Sequence, residues 1–108
     1  MGDMPNRSQA LVASSVTYYH QNDEAAFFEW LARIPCVERF EGEGGDLYIH
    51  LSRVPTDADL RELAAFFYRY KINMRQLAQF GSGSRRAWFR DRRMYWHRRV
   101  FGAATPAD

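Results

Sequence analysis

The chain has 108 residues, with Lys+Arg 15 against Asp+Glu 13, one cysteine, 46% hydrophobic and 16% aromatic residues, which suits one small domain. An ordinary hydrophobic share with a low net charge excludes an intrinsically disordered chain. The single Cys36 excludes an intrachain disulfide scaffold, and the longest apolar run, residues 63–68, is far short of the roughly 20 residues of a membrane-spanning helix.

Residues 1–9 and 102–108 read as flexible tails, because both are small, polar or proline-containing, around a single globular domain at 10–101. The polar start carries no apolar stretch of signal-peptide length, and Asn6 stands where a myristoylation signal would have Ser or Thr. With one thiol and no address, a cytoplasmic protein is expected.

Residues 11–19 predict a strand, carrying Val12, Val16, Thr17, Tyr18 and Tyr19, although Ser14 and Ser15 weaken the alternation. Asn22-Asp23-Glu24 offers a cap and first-turn acids, and Phe27, Trp30, Leu31 and Ile34 follow at helical spacing until Pro35 stops the helix near Arg33. Residues 37–41 and 47–52 flank Gly42-Glu43-Gly44-Gly45-Asp46, a glycine-rich loop that predicts a β-hairpin. Its second arm places Leu47, Ile49 and Leu51 on one face and Tyr48, His50 and Ser52 on the other. Thr56 with Asp57 and Asp59 opens a second helix, which buries Leu60, Leu63, Ala64, Phe67 and Tyr70 and ends near Lys71.

Asn73 and Gln76 have capping-box spacing, opening a short helix through Leu77 and Phe80. Gly81-Ser82-Gly83 breaks it, and Ser84 can cap a last helix over residues 85–101. At about 100° per residue Trp88, Phe89, Tyr95, Trp96 and Val100 share one face of that helix, with Arg86, Arg90, Arg93 and His97 in a stripe beside it. Arg92 and Arg99 fall inside the aromatic arc, so they must pair with acids, lie flat on rings or reach past them. The expected fold is α+β, in the order β-α-β-β-α-α-α, with an antiparallel sheet of about three strands and helices mainly on one face.

The net charge of +2 hides two opposed parts. Residues 1–68 hold 5 Arg against 11 acids, a net of −6, and residues 69–108 hold 10 bases against Asp91 and Asp108, a net of +8. Glu38, Glu41, Glu43 and Asp46 form an acidic hairpin surface, which also keeps a sheet edge from pairing with another chain. The Arg86, Arg90, Arg93, His97 stripe presents forked donors that match phosphate or carboxylate oxygens, and Trp88 beside it could stack on a base. The alternative is that these arginines line the wet side of the core and pair with acids of the same chain.

Other chemistry finds little support. His20, His50, His97 and Cys36 lack the short-range pairing that zinc sites use, so no metal and no cofactor are expected. Cys36 follows a helix C-terminus, whereas a reactive thiolate favours a helix N-terminus or a cationic neighbour. Gly81-Ser82-Gly83-Ser84 matches neither a nucleophile elbow nor a Walker loop. The expectation is a non-catalytic cytoplasmic interaction protein with a charged protein partner, or one that associates with itself. Its size and layout suit a bacterial inhibitor or immunity-type protein, an analogy without a motif behind it. The alternatives are a nucleic-acid binder using the C-terminal helix, and a small enzyme whose cleft would hold at least two of His50, His97, Glu38 and Glu41.

Overall fold

The computed structural model describes residues 10–102; the expected tails lie outside these, Gly102 excepted. The chain forms an α+β domain with strand β1 (Ala10–Ser14), helix α1 (Gln21–Arg33), strands β2 (Val37–Glu43) and β3 (Asp46–Leu51), helix α2 (Asp57–Tyr70), 3-10 segments Met74–Phe80 and Ser84–Arg86, and a short helix α3 (His97–Phe101). The sheet is antiparallel in the order β1-β3-β2. Leu11, Ala13, Ile49 and Leu51 are buried in the same cluster as Phe27 and Leu31 of α1 and Leu60, Leu63 and Phe67 of α2. The helices therefore cover one face, and Arg39, Glu41, Tyr48 and His50 fall on the other.

Local chemistry sets the element ends, with some departures from expectation. β1 stops at Ser14 rather than Tyr19 because Ser15 turns the chain at φ 55. α1 is capped two residues earlier than expected, by His20, whose Nδ1 accepts from the Asn22 N–H at 3.0 Å. Asp23 reaches back to accept from the Tyr19 N–H at 3.0 Å. The hairpin loop shrinks to Gly44 and Gly45, both at positive φ, the arrangement a two-residue type I′ turn requires. No helix is long and apolar enough to cross a membrane among the described residues.

Gln76 departs most from local logic. Its side chain does contact Asn73 O, but it also accepts from Val12 N–H at 2.9 Å and donates to Val12 O at 2.8 Å. One amide thereby mimics a neighbouring strand on the outer edge of β1, satisfying two groups that a sheet edge leaves open. The segment it belongs to winds as a 3-10 helix, with Asn73 capping through the Arg75 N–H.

α2 carries the full capping box. Thr56 Oγ1 accepts from Asp59 N–H, and Asp59 Oδ2 accepts from Thr56 N–H at 2.9 Å and from Arg53 at 2.9 Å. Asp59 is only 3% exposed. Burial pushes its carboxyl up, but the Thr56 N–H, the Arg53 guanidinium and the Thr56 hydroxyl together outweigh that and hold it below its ordinary value of 3.8. A carboxyl that releases its proton more readily when folded adds stability above its unfolded pKa and loses it as pH falls through the lower native one. Asp59→Asn should therefore cost about 1–3 kcal/mol near neutral pH and less as the medium becomes acid. Asp91 titrates in the same region, so the difference between the two proteins in urea unfolding from pH 7 to pH 3 is the measurement. A difference that does not change with pH would contradict the assignment.

Candidate functional site

The stretch expected as one helix over residues 85–101 is instead a run of turns ending in α3. Phe89 N–H bonds to Arg86 O, Asp91 N–H to Trp88 O, Met94 N–H to Asp91 O and His97 N–H to Met94 O, all at three-residue separation. Asp91 breaks the ladder because its Oδ1 accepts from the Arg93 N–H at 2.9 Å, a side-chain bond that competes with helix. Packing favours the same outcome. A straight helix would spread the rings from Trp88 to Phe101 along about 20 Å, whereas the turns fold Phe89 against Trp96 at 5.3 Å and Phe101 at 5.4 Å. Trp96 Nε1 donates to Phe89 O at 2.7 Å inside this cluster. Gly81 lies beneath it: a Cβ there would sit 2.8 Å from the Phe101 ring.

With the helix gone, the expected stripe disperses. Arg86 is half-buried, donating to Phe80 O and Pro55 O and pairing with Asp57 at 3.2 Å. Arg90 donates to Gly81 O and Gly83 O. Arg93 folds onto Asp91 at 2.8 Å and holds that carboxyl down at about 2. The His97 ring lies 5.5 Å from that of Phe101. Two of the four are thus committed to backbone carbonyls of neighbouring loops, and the four do not form a common surface row.

A different basic and aromatic surface takes shape between α2 and the C-terminal turns. Arg61 lies over the Trp88 ring at 4.1 Å, and Arg99 over Tyr68 at 4.3 Å. Tyr68 meets Tyr95 edge-on at 4.9 Å, and Tyr95 in turn meets Trp96 at 4.9 Å. Tyr68 and Tyr95 are 38% and 49% exposed, so these rings face solvent rather than complete the core. Among the described residues no carboxylate lies within ion-pair distance of Arg61 or Arg99. The Trp88 Nε1 is shielded and has no hydrogen-bond partner among the described residues. Of this group the sequence pointed to Trp88, and to Arg99 as an arginine among rings. Arg61 and Tyr68 escaped notice, though an exposed tyrosine at i+7 from an arginine on the polar side of α2 was a legible signal.

The acidic residues collect on the hairpin as their spacing suggests. Glu38 and Glu41 lie 3.8 and 3.9 Å from Arg39, and Glu41 also approaches His50 Nε2 at 3.0 Å. Glu43 and Asp46 are paired across the turn and have no cation within ion-pair distance among the described residues. His50 and Glu41 come together on the open face of the sheet, apart from Glu38, which pairs along its own strand, and from His97 beside Phe101. Cys36 is fully buried, and burial raises its thiol to about 11, with Asp59 adding to the rise. No three His, Cys, Asp or Glu side chains converge as a metal site among the described residues.

No family model, no curated protein and no solved structure matches this chain.

The internal and external arginines should separate cleanly in unfolding experiments. Arg86→Ala strands two loop carbonyls and Asp57, and should lower the unfolding free energy by about 2–4 kcal/mol. Arg93→Ala removes a contact confined to its own turn and should leave the urea midpoint unmoved. Equal effects of the two would contradict this division.

Proposed function

We propose that this protein is a non-catalytic cytoplasmic interaction protein that docks an acidic protein surface on the face formed by Arg61, Tyr68, Trp88, Tyr95 and Arg99. The observation that carries the reading is the pair of guanidinium groups resting on exposed or half-buried rings, Arg61 on Trp88 and Arg99 on Tyr68. A guanidinium flat on a ring is already ordered and keeps its N–H edge directed outward, matched to carboxylates. Arg, Tyr and Trp are also the residues in which interface binding energy concentrates.

The same geometry favours an acidic protein over a nucleic acid. Bases bind unpaired strands by stacking on open ring faces, and here a face of Trp88 and one of Tyr68 are covered by arginine, while Tyr68 and Tyr95 present edges to each other. The non-catalytic part of the reading is supported by the placement of His50 and Glu41 on an open sheet face. It is supported also by the deep burial of Cys36, whose raised pKa disfavours the thiolate.

The test is affinity capture from native lysate, with immobilised wild-type protein and with Arg61→Gln/Arg99→Gln protein that has an unchanged melting curve. Acidic proteins retained by the wild type and eluted by salt should be lost from the variant, since each substitution should weaken binding by roughly tenfold. Recovery of the same partners from both would overturn the proposal. So would a mobility shift with single-stranded DNA or RNA that disappears in the variant.

A further inference from the structure

We infer that the corner where α2 ends is a binding site for a monoester phosphate group, formed by Lys71, Asn73, Arg75 and Arg99. The inference goes beyond the docking surface, with which it shares Arg99, and rests on the lining of a separate depression. These four residues, with Ile72 and Met74 beneath them, line one depression of about 370 Å³. Among the described residues every charged group in its wall is a cation. Among the described residues none of the three cations has a carboxylate within 4.0 Å, whereas Arg39, Arg53, Arg86 and Arg93 all have one.

The groups are held in place by bonds that leave donors free. Arg75 gives one guanidinium N–H to Gly102 O at 2.7 Å, out of five that the group carries. Asn73 uses its Oδ1 on the Arg75 N–H at 3.0 Å, which leaves its amide NH₂ available. Arg99 is steadied on the Tyr68 ring. The site is therefore rich in donors and holds no competing acid among the described residues.

Lys71 supplies an independent observation. It sits at φ 58, ψ 36, with its N–H bonded to Tyr68 O and Phe67 O, while the Ile72 N–H also reaches Phe67 O. This is a Schellman ending, whose left-handed residue is usually glycine because a Cβ is disfavoured there. The lysine at this position carries that backbone cost and also lines the depression. Part of its charge answers the helix C-terminus, which carries about half a negative charge. Three cations exceed that by a wide margin, so the corner remains attractive to anions.

The number of cations selects the ligand class. A carboxylate carries one charge on two oxygens and is satisfied by one arginine fork, whereas a monoester phosphate spreads nearly two charges over three oxygens. Three cationic arms and an amide fit the second. The depression is larger than the phosphate alone, leaving room for the small organic group that bears it.

The experiment is a titration of ¹⁵N-labelled full chain with inorganic phosphate at constant ionic strength, chloride replacing phosphate in the control. Saturable shifts at Lys71, Asn73, Arg75 and Arg99, with a dissociation constant on the order of millimolar, are expected. Lys71→Gly is the decisive variant, because it removes the ammonium while relieving the left-handed strain. It should melt at a higher temperature than the wild type yet bind phosphate roughly three- to fivefold more weakly, the size of one exposed ion contact. Arg75→Gln/Arg99→Gln should abolish saturation. A second arm uses a dinucleoside monophosphate, whose only phosphate is a diester: binding at these residues as tight as that of phosphate would overturn the assignment to a monoester. Linear, non-saturating shifts in the wild type, or undiminished affinity in Lys71→Gly, would overturn the site itself.

Discussion

Arg86 reaches under the chain at the mouth of α2 and donates to carbonyls of two different loops, Pro55 and Phe80, while pairing with Asp57 in the first turn of that helix. This arrangement answers a constraint set by the C-terminal third of the molecule. Irregular backbone packed on a core leaves carbonyl groups with no ladder to bond to, and a shielded carbonyl without a donor costs as much as a lost hydrogen bond. Arginine side chains supply the missing donors. Arg90 does so for the buried Gly81, and at the surface it also holds Gly83 as Arg75 holds Gly102. With their forked donors these three side chains do for the loops what a regular helix would have done for itself.

That role changes the meaning of the charge layout. An excess of bases after residue 69 suggests a basic helix facing a partner, but the structure divides those bases by what they touch. Some bind carbonyls or the acids of neighbouring turns and belong to the fold. Others, Lys71 and Arg99 foremost, lie beyond reach of any described carboxylate, as does Arg61 of α2. Arg61 and Arg99 lie on the rings of Trp88 and Tyr68 where α2 meets the C-terminal turns, and Lys71 lines a depression with Arg99 at the end of α2. The hairpin acids are held apart on another element, with Glu41 shared between Arg39 and His50. The chain thus uses its polarity both ways, inward for closure of its loops and outward on a compact aromatic face.

The elements legible in the sequence were those fixed by nearby residues. α2 is announced by Thr56 and Asp59, which bond each other across three residues, and its end near Lys71 was equally readable. α1 ends where Pro35 requires it, and the hairpin follows the alternation of Leu47, Ile49 and Leu51. What the sequence concealed was decided over distance. Gln76 has capping-box spacing but bonds Val12, 64 residues away, because an open strand edge offers it a better pair of partners. The segment after Ser84 passes a helical periodicity test because aromatic residues are dense enough to fill an arc by either route. The Asp91 bond to Arg93 N–H and the contact of Phe101 with Gly81 decide against the helix, and neither is visible in a periodic pattern. For the candidate site, Trp88 was legible as a ring beside arginines, but its partner Arg61 comes from another helix.

The central claim is that arginines of α2 and the C-terminal segment are divided between loop carbonyls and an open surface. Side-chain Nε–H exchange of ¹⁵N-labelled protein, followed by nuclear magnetic resonance, tests it directly. Slow exchange is predicted at Arg86, whose Nε faces Asp57 at 3.2 Å, with fast exchange at Arg61 and Arg99 and non-helical carbon shifts between Arg90 and Tyr95. Uniformly fast exchange at all three, together with continuous helical shifts from residue 85 to residue 101, would contradict the account.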